Sequence, residues 1–139
     1  MEKLNIEEIQ FDNIRYAEVI WADTQVETTR FFSPASSSFQ FGLLAHKAGF
    51  KEAAHFHKSE KRVIADLQQM FVVQKGVVDV ELYSNDLKLI KVVRLKQGDA
   101  IVLIDGIHAI NVIEDMQCLS VKQGPFLGDA NDKIFVDIK

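Results

Sequence analysis

The strict alternation of apolar and charged residues over Val77–Tyr83 is the feature that most constrains the fold. Three aliphatic side chains share one face of this segment, and two carboxylates share the other. A side-chain period of two is that of a β-strand with one buried face. Ser84-Asn85-Asp86 is a turn sequence, and the apolar run Leu87–Leu95 follows it. The pattern therefore predicts an antiparallel β-hairpin.

Most of the remaining chain consists of short apolar segments separated by turn residues. The predicted strands are Ala17–Ala22, Val26–Phe32, Phe39–Ala45, Gln69–Gln74, Ala100–Ile104, His108–Ile113 and Gln117–Lys122. Short strands at this spacing predict an all-β sandwich or barrel. One short helix is expected near Ile6–Ile14. With two prolines and no low-complexity linker, residues 1–139 are expected to form a single domain.

Composition narrows the classes of partner. The net charge of −4 and the absence of a long basic run argue against nucleic acid or an anionic membrane as the main partner. No apolar run approaches the ~20 residues that span a bilayer. Met1–Gln10 lacks the basic start and apolar core of a signal peptide, so a cytoplasmic location is expected. Because Cys118 is the single cysteine, an intramolecular disulfide is excluded. Cys118 lies in an apolar run and is expected to be a small buried core residue.

His55 and His57 are the first candidate functional residues. They follow Gly49 in a short segment that is predicted to be extended, where residues i and i+2 project to the same side. Both imidazoles would then enter one space, with Phe56 facing away. The same spacing also fits two strand histidines that make ordinary hydrogen bonds.

His108 and Gln69 extend this candidate site. Imidazole is a common ligand of Zn, Fe, Ni and Cu ions, and three histidine nitrogens leave coordination positions open for water or substrate. The amide oxygen of Gln69 is a possible fourth ligand, although a glutamine beside an apolar strand more often meets backbone groups. His46 has no partner at ligand spacing and is expected to be structural or exposed.

These residues resemble the two motifs of the cupin family. Gly49, His55 and His57 have the spacing of the first motif. Gln69 stands in the glutamate place of that motif, with six residues between it and Gly76. The segment Ile104-Asp105-Gly106-Ile107-His108 is similar to the histidine part of the second motif, with isoleucine in the proline place. The likeness covers about residues 39–122.

The resemblance implies an antiparallel jelly-roll barrel of the RmlC-like type with its site in the barrel mouth. It implies a divalent metal ion (Zn, Ni, Fe or Mn) held by His55, His57, His108 and Gln69. Together with the closing run from Val121 to Gly128, the motifs look like those of small WbuC-like cupins associated with surface-polysaccharide biosynthesis. That likeness favours a sugar or nucleotide sugar as the ligand.

Three functions stay open at this level. The first is a metal-dependent enzyme acting on a small polar molecule, such as a carbohydrate precursor. The second is a metal-free enzyme similar to nucleotide-sugar 3,4-ketoisomerases, in which His55 and His57 are catalytic and transfer protons. The third is a ligand-binding module without catalysis.

Two further expectations concern binding surfaces. Lys61 and Arg62 are candidates for binding a phosphate, although a solvated loop is the simpler interpretation. Single-domain cupins often pair through a sheet edge, and the segment Tyr16–Phe32 could supply one, so a homodimer is expected. Alternatively, the aromatic residues of this segment cap the protein's own barrel.

Overall fold

The computed structural model describes residues 1–138 and shows an all-β chain. The strands are β1 (Ile6–Phe11), β2 (Ile14–Ile20), β3 (Arg30–Phe31), β4 (Gly42–Leu43), β5 (Gln69–Tyr83), β6 (Leu89–Leu95), β7 (Ala100–Leu103) and β8 (Ile107–Lys122). The helix α1 (Asp129–Asp132) is a single turn. Across residues 1–138, no helix has the length and apolar character needed to cross a bilayer.

One antiparallel sheet contains six of the strands. Its order is β1-β2-β7-β5-β6, and β8 runs along the other edge of β5. β5 and β8 are 15 and 16 residues long and pair over almost their whole length. β7 pairs with the first half of β5, and β6 pairs with the second half. The two-residue strands β3 and β4 form a separate ribbon.

The main sheet is strongly curled into a half-barrel. The pairing register between β5 and β8 shifts three times over residues 73–78, and within this stretch Gly76 adopts a φ of 85°. Glycine adopts this conformation without the steric cost that a Cβ brings, and bulges of this kind bend a strand and increase its twist. The curl brings the outermost strands of the sheet path together, so that Lys91 of β6 contacts Glu7 of β1.

Both faces of the curled sheet are covered in apolar side chains. The concave face carries the larger cluster, formed by Ile9, Ala17, Val19, Val73, Val78, Val80, Leu82, Val93, Leu95, Ile101 and Leu103. On the convex face, Ile20, Phe41, Ala100 and Val102 form a second cluster beneath the 32–43 region. Because side chains alternate along each strand, neighbouring residues of β7 serve opposite faces.

The all-β prediction is confirmed, and so is the hairpin that the alternation predicts: Val78 of β5 lies opposite Leu95 of β6. Two pairs of predicted strands each form one long strand, β5 and β8. The predicted helix near Ile6–Ile14 is wrong. The segment forms β1 and the start of β2, joined by a tight turn in which Asp12 and Asn13 both have positive φ.

The edge expected over Tyr16–Phe32 is also wrong in its first part. β2 lies inside the sheet, because β1 occupies one of its edges and β7 occupies the other. The aromatic residues that follow divide between two environments: Trp21 packs against the concave cluster and Phe32 against the convex one, whereas Phe31 is exposed.

Candidate functional site

The first two candidate residues lie in a long exposed segment. Every residue from His46 to Leu67, here called the histidine segment, is exposed and belongs to no helix or strand. The strand predicted around Gly49–His57 is therefore not formed. A turn closed by the bond from the Phe50 amide to the Lys47 carbonyl (3.1 Å) opens the segment. The charged stretch Lys58–Ala65, whose composition fits either a loop or one helical turn, is a loop.

His55 and His57 lie side by side within this segment. Their ring centroids are 5.3 Å apart and the ring planes meet at 73°. Nδ1 of His55 lies 2.9 Å from the carbonyl oxygen of Ala53, which can only accept a hydrogen bond. Nδ1 therefore carries the proton when the imidazole is neutral, and Nε2 keeps a lone pair available for a metal or a substrate proton.

His46 has a different environment from the other two histidines of the region. Its ring stacks on Phe50, with centroids 3.9 Å apart and planes 6° from parallel. Its Nε2 also lies 3.4 Å from Oγ1 of Thr29. His46 is exposed and occupied with local contacts, as the sequence predicts.

A cavity of about 310 Å³ opens on the concave face of the half-barrel. Its wall is mainly apolar, and its lining residues are Phe71, Val78, Val80, Leu95, Ile110, Met116, Gln117, Cys118 and Ser120. Burial raises the pKa of the Cys118 thiol. The cavity is at the lower end of the size range of small-molecule pockets.

Gln69 and His108 both lie on this concave face. Residues directly opposite one another in an antiparallel pair project to the same side. Gln69 lies opposite Lys122, and its Nε2 donates to Oγ of the cavity residue Ser120 at 2.9 Å. His108 lies opposite the buried Leu82, two residues before the cavity residue Ile110. The two predicted ligands therefore flank the cavity from opposite ends of the β5–β8 ribbon.

The curl brings these two ends toward each other. If β8 were straight, the 14 positions from His108 to Lys122 would span about 46 Å. At one end, Asp132 Oδ2 lies 3.2 Å from Nζ of Lys122. At the other end, His108 is exposed, and partial desolvation together with the charge of Lys133 lowers its pKa.

The four predicted metal ligands divide into a pair and two separate residues. His55 and His57 are adjacent in the exposed segment, whereas Gln69 and His108 project from the sheet. Within residues 1–138, no three His, Cys, Asp or Glu side chains are grouped so as to hold a metal ion. The ligand set of His55, His57, His108 and Gln69 stays a prediction.

Sequence reasoning did not select the residues that line the concave face beside Gln69. Cys118, Ser120 and Lys122 follow one another at a spacing of two, which was visible as a strand pattern but not as a site. Lys61 and Arg62, the predicted phosphate ligands, are both exposed in the histidine segment. Arg62 Nη1 reaches only the carbonyl oxygen of Glu60, at 3.4 Å.

Comparison with protein-family models, with curated proteins and with solved structures gave no match. The cupin likeness therefore rests on the motif residues themselves.

Proposed function

We propose that this protein binds a small molecule in the concave face of its half-barrel and is a cupin-type jelly roll. The observation that carries the proposal is the apolar cavity, flanked on the same face by Gln69 with Ser120 and by His108. An apolar wall with a few polar groups at its ends is the usual form of a small-molecule site. The sequence motifs favour a carbohydrate or nucleotide-sugar precursor of surface-polysaccharide biosynthesis as the ligand.

The single cysteine offers a direct test of binding, because Cys118 lines the cavity. We expect a bound nucleotide sugar such as UDP-glucose to slow alkylation of Cys118 and to raise the melting temperature. Ile110→Trp, which fills the cavity, should abolish both effects. Val112→Trp is the matched control, since Val112 lies two residues further along the same strand and does not line the cavity.

Two results would contradict the binding of a nucleotide sugar in the cavity. If UDP-glucose and other nucleotide sugars leave the alkylation rate of Cys118 unchanged at millimolar concentration, nucleotide sugars are not the ligand class. If Ile110→Trp and Val112→Trp both bind as the parent protein does, the ligand lies outside the cavity.

A metal site forms in this proposal when the histidine segment pairs with the outer edge of β8. β8 pairs with β5 alone among the strands of residues 1–138, which leaves a long edge of unpaired backbone groups. The histidine segment contains Phe56 and Val63, each 88 % exposed, which an added strand would help to cover. An extended backbone there would direct His55 and His57 to one side.

A ligand set of His55, His57, His108 and Gln69 also requires further closure of the half-barrel, because His108 and Gln69 lie toward opposite ends of the β5–β8 ribbon. A divalent ion held by these residues supplies Lewis-acid polarisation of a bound carbonyl group. We expect the protein to take up about one equivalent of Zn, Ni, Fe or Mn, since four ligands suffice for one ion. His55→Ala, His57→Ala and His108→Ala should each lower uptake, measured by mass spectrometry of the metal, whereas His46→Ala should not. Uptake that is independent of His108 would refute this ligand set.

The metal-free ketoisomerase is a second candidate, favoured by the 5.3 Å separation of the His55 and His57 rings. Two imidazoles this close can serve neighbouring carbons of one sugar as proton donor and acceptor. Turnover of a dTDP-4-keto sugar that survives chelation and is lost in His57→Ala would support it. Binding of the sugar without turnover would favour the third function, a ligand-binding module without catalysis.

A further inference from the structure

Lys122 occupies the polar end of the concave face. It follows the cavity residues Cys118 and Ser120 at a spacing of two, so the three side chains project to the same side of β8. Gln69 lies directly opposite Lys122 and donates to Ser120. The Lys122 side chain therefore leaves the sheet on the same face as a hydrogen-bonded amide and hydroxyl at the end of an apolar cavity.

Lys122 is held by a carboxylate from the end of the chain. Residues 124–138, here called the C-terminal strap, leave β8 and place Asp132 Oδ2 3.2 Å from Lys122 Nζ. The side chains of Lys122 and Asp132 are only 29 % and 16 % exposed. Lys122 also lies over the ring of Phe126, 5.1 Å from its centroid.

We propose that Lys122 recognises an anionic oxygen group of the ligand, a phosphate or a carboxylate, and that Asp132 occupies this position as an internal competitor until the ligand displaces the strap. The inference rests on the proposed binding of a small molecule in the concave face, and it adds the chemical class of that molecule. The Asp132 carboxylate, like the group that displaces it, presents anionic oxygens to the ammonium group.

The surroundings of Lys122 suit this role. An ammonium group is a compact donor of three hydrogen bonds and binds phosphate or carboxylate as a point charge. Its shielding from solvent strengthens the attraction relative to that of an exposed lysine. Gln69 and Ser120 provide further polar groups beside it, whereas Lys61 and Arg62 lie in the exposed histidine segment.

The strap is held weakly enough to be displaced. α1 has four residues and buries none of them. Apart from the Lys122 pair, its side-chain contacts are local: Asn131 Nδ2 donates to the Leu127 carbonyl at 3.0 Å, and Lys133 Nζ lies 3.4 Å from Asp129 Oδ1. Ile134 and Phe135 beyond it are about nine-tenths exposed. Exchanging the Asp132 contact for a ligand contact therefore disrupts little packing.

Calorimetric titration with three probes tests the proposal: inorganic phosphate, UDP and glucuronate. We expect Asp132→Asn to bind at least one probe about two- to tenfold more tightly than the parent protein, because a partly buried internal competitor is removed. Lys122→Gln should lose that binding, and Lys122→Arg should retain it. Lys3→Gln is the matched control, because Lys3 also forms an ion pair with an aspartate, Asp23, but does so at the exposed surface, and it should bind as the parent does. Tighter binding of inorganic phosphate and UDP would identify the recognised group as a phosphate, and tighter binding of glucuronate would identify it as a carboxylate.

Two results would overturn the role of Lys122. One is equal affinity in Lys122→Gln and the parent protein, and the other is weaker binding in Asp132→Asn. The alkylation rate of Cys118 separates this failure from failure of the proposed function. If a probe protects Cys118 equally in the parent protein and in Lys122→Gln, the cavity is still the binding site, but Lys122 does not recognise the ligand. If no probe protects Cys118 or binds any variant, both proposals are rejected.

Discussion

Replacing Gly76 with alanine should strongly destabilise the fold, because this glycine lies where the β5–β8 ribbon bends. Its φ of 85° costs an alanine about 1–2 kcal/mol. A Cβ built there would lie 2.1 Å from the carbonyl oxygen of Asp115 and 2.8 Å from that of Glu114. Both atoms belong to the backbone of β8, so the strand would have to withdraw. Loss of one or two neighbouring strand hydrogen bonds adds about 1–3 kcal/mol.

The expected loss is therefore about 2–5 kcal/mol of unfolding free energy, which corresponds to about 5–20 °C in melting temperature for a chain of this size. Urea denaturation followed by circular dichroism measures it. Gly49→Ala is the matched control, because Gly49 has a φ of 91° but nothing within 4 Å of the added Cβ. It should lose only the cost of the positive φ, about 1–2 kcal/mol. Equal losses for the two variants would show that the backbone approach at Gly76 does not hold the bend.

Three further predictions concern buried groups. Leu82→Ala should lower the unfolding free energy by about 3 kcal/mol, because Leu82 is fully buried in the concave cluster. A loss below about 1 kcal/mol in urea denaturation would contradict that packing. Asp99→Ala should lower the unfolding free energy by about 2–4 kcal/mol. The carboxylate of Asp99 accepts hydrogen bonds from the backbone N–H groups of Ala22 and Lys96, each at 2.8 Å. A melting temperature equal to that of the parent protein would refute this role. Burial outweighs the attraction of Arg15 and raises the pKa of Glu18 above 4.5. The folded state therefore holds this proton more strongly, and the contribution of Glu18 to stability falls as pH rises from about 4.5 through the folded pKa. Glu18→Gln should remove that decline, and parallel curves of melting temperature against pH for the two proteins would contradict it.

The alternating segments of the sheet were predictable because burial on one face imposes a period of two. Val78, Val80 and Leu82 are all buried on the concave face, as the alternation of Val77–Tyr83 indicates. The N-terminal hairpin was missed for a local reason. Its turn residues Asp12 and Asn13 both adopt positive φ without a glycine, so the usual hairpin dipeptide signal is absent.

The candidate site was predictable only in part. Motif spacing selected Gln69 and His108, and the sheet places both on the concave face. Spacing carries no information about where the histidine segment lies, because its position depends on tertiary contacts that local sequence does not encode. The pair formed by Lys122 and Asp132 joins β8 to the strap, and it became visible only once the curl of the ribbon was known.

The position of β2 inside the sheet has a consequence for synthesis on the ribosome. The β1–β2 hairpin can form early, but its partner β7 begins 80 positions after Ile20. At about 5–20 residues per second, that partner is translated about 4–16 s later. Throughout this delay the apolar side of the hairpin, with Ala17 and Val19, lacks its native cover. Nascent chains halted before Ala100 should therefore be good clients for chaperones that recognise apolar strands.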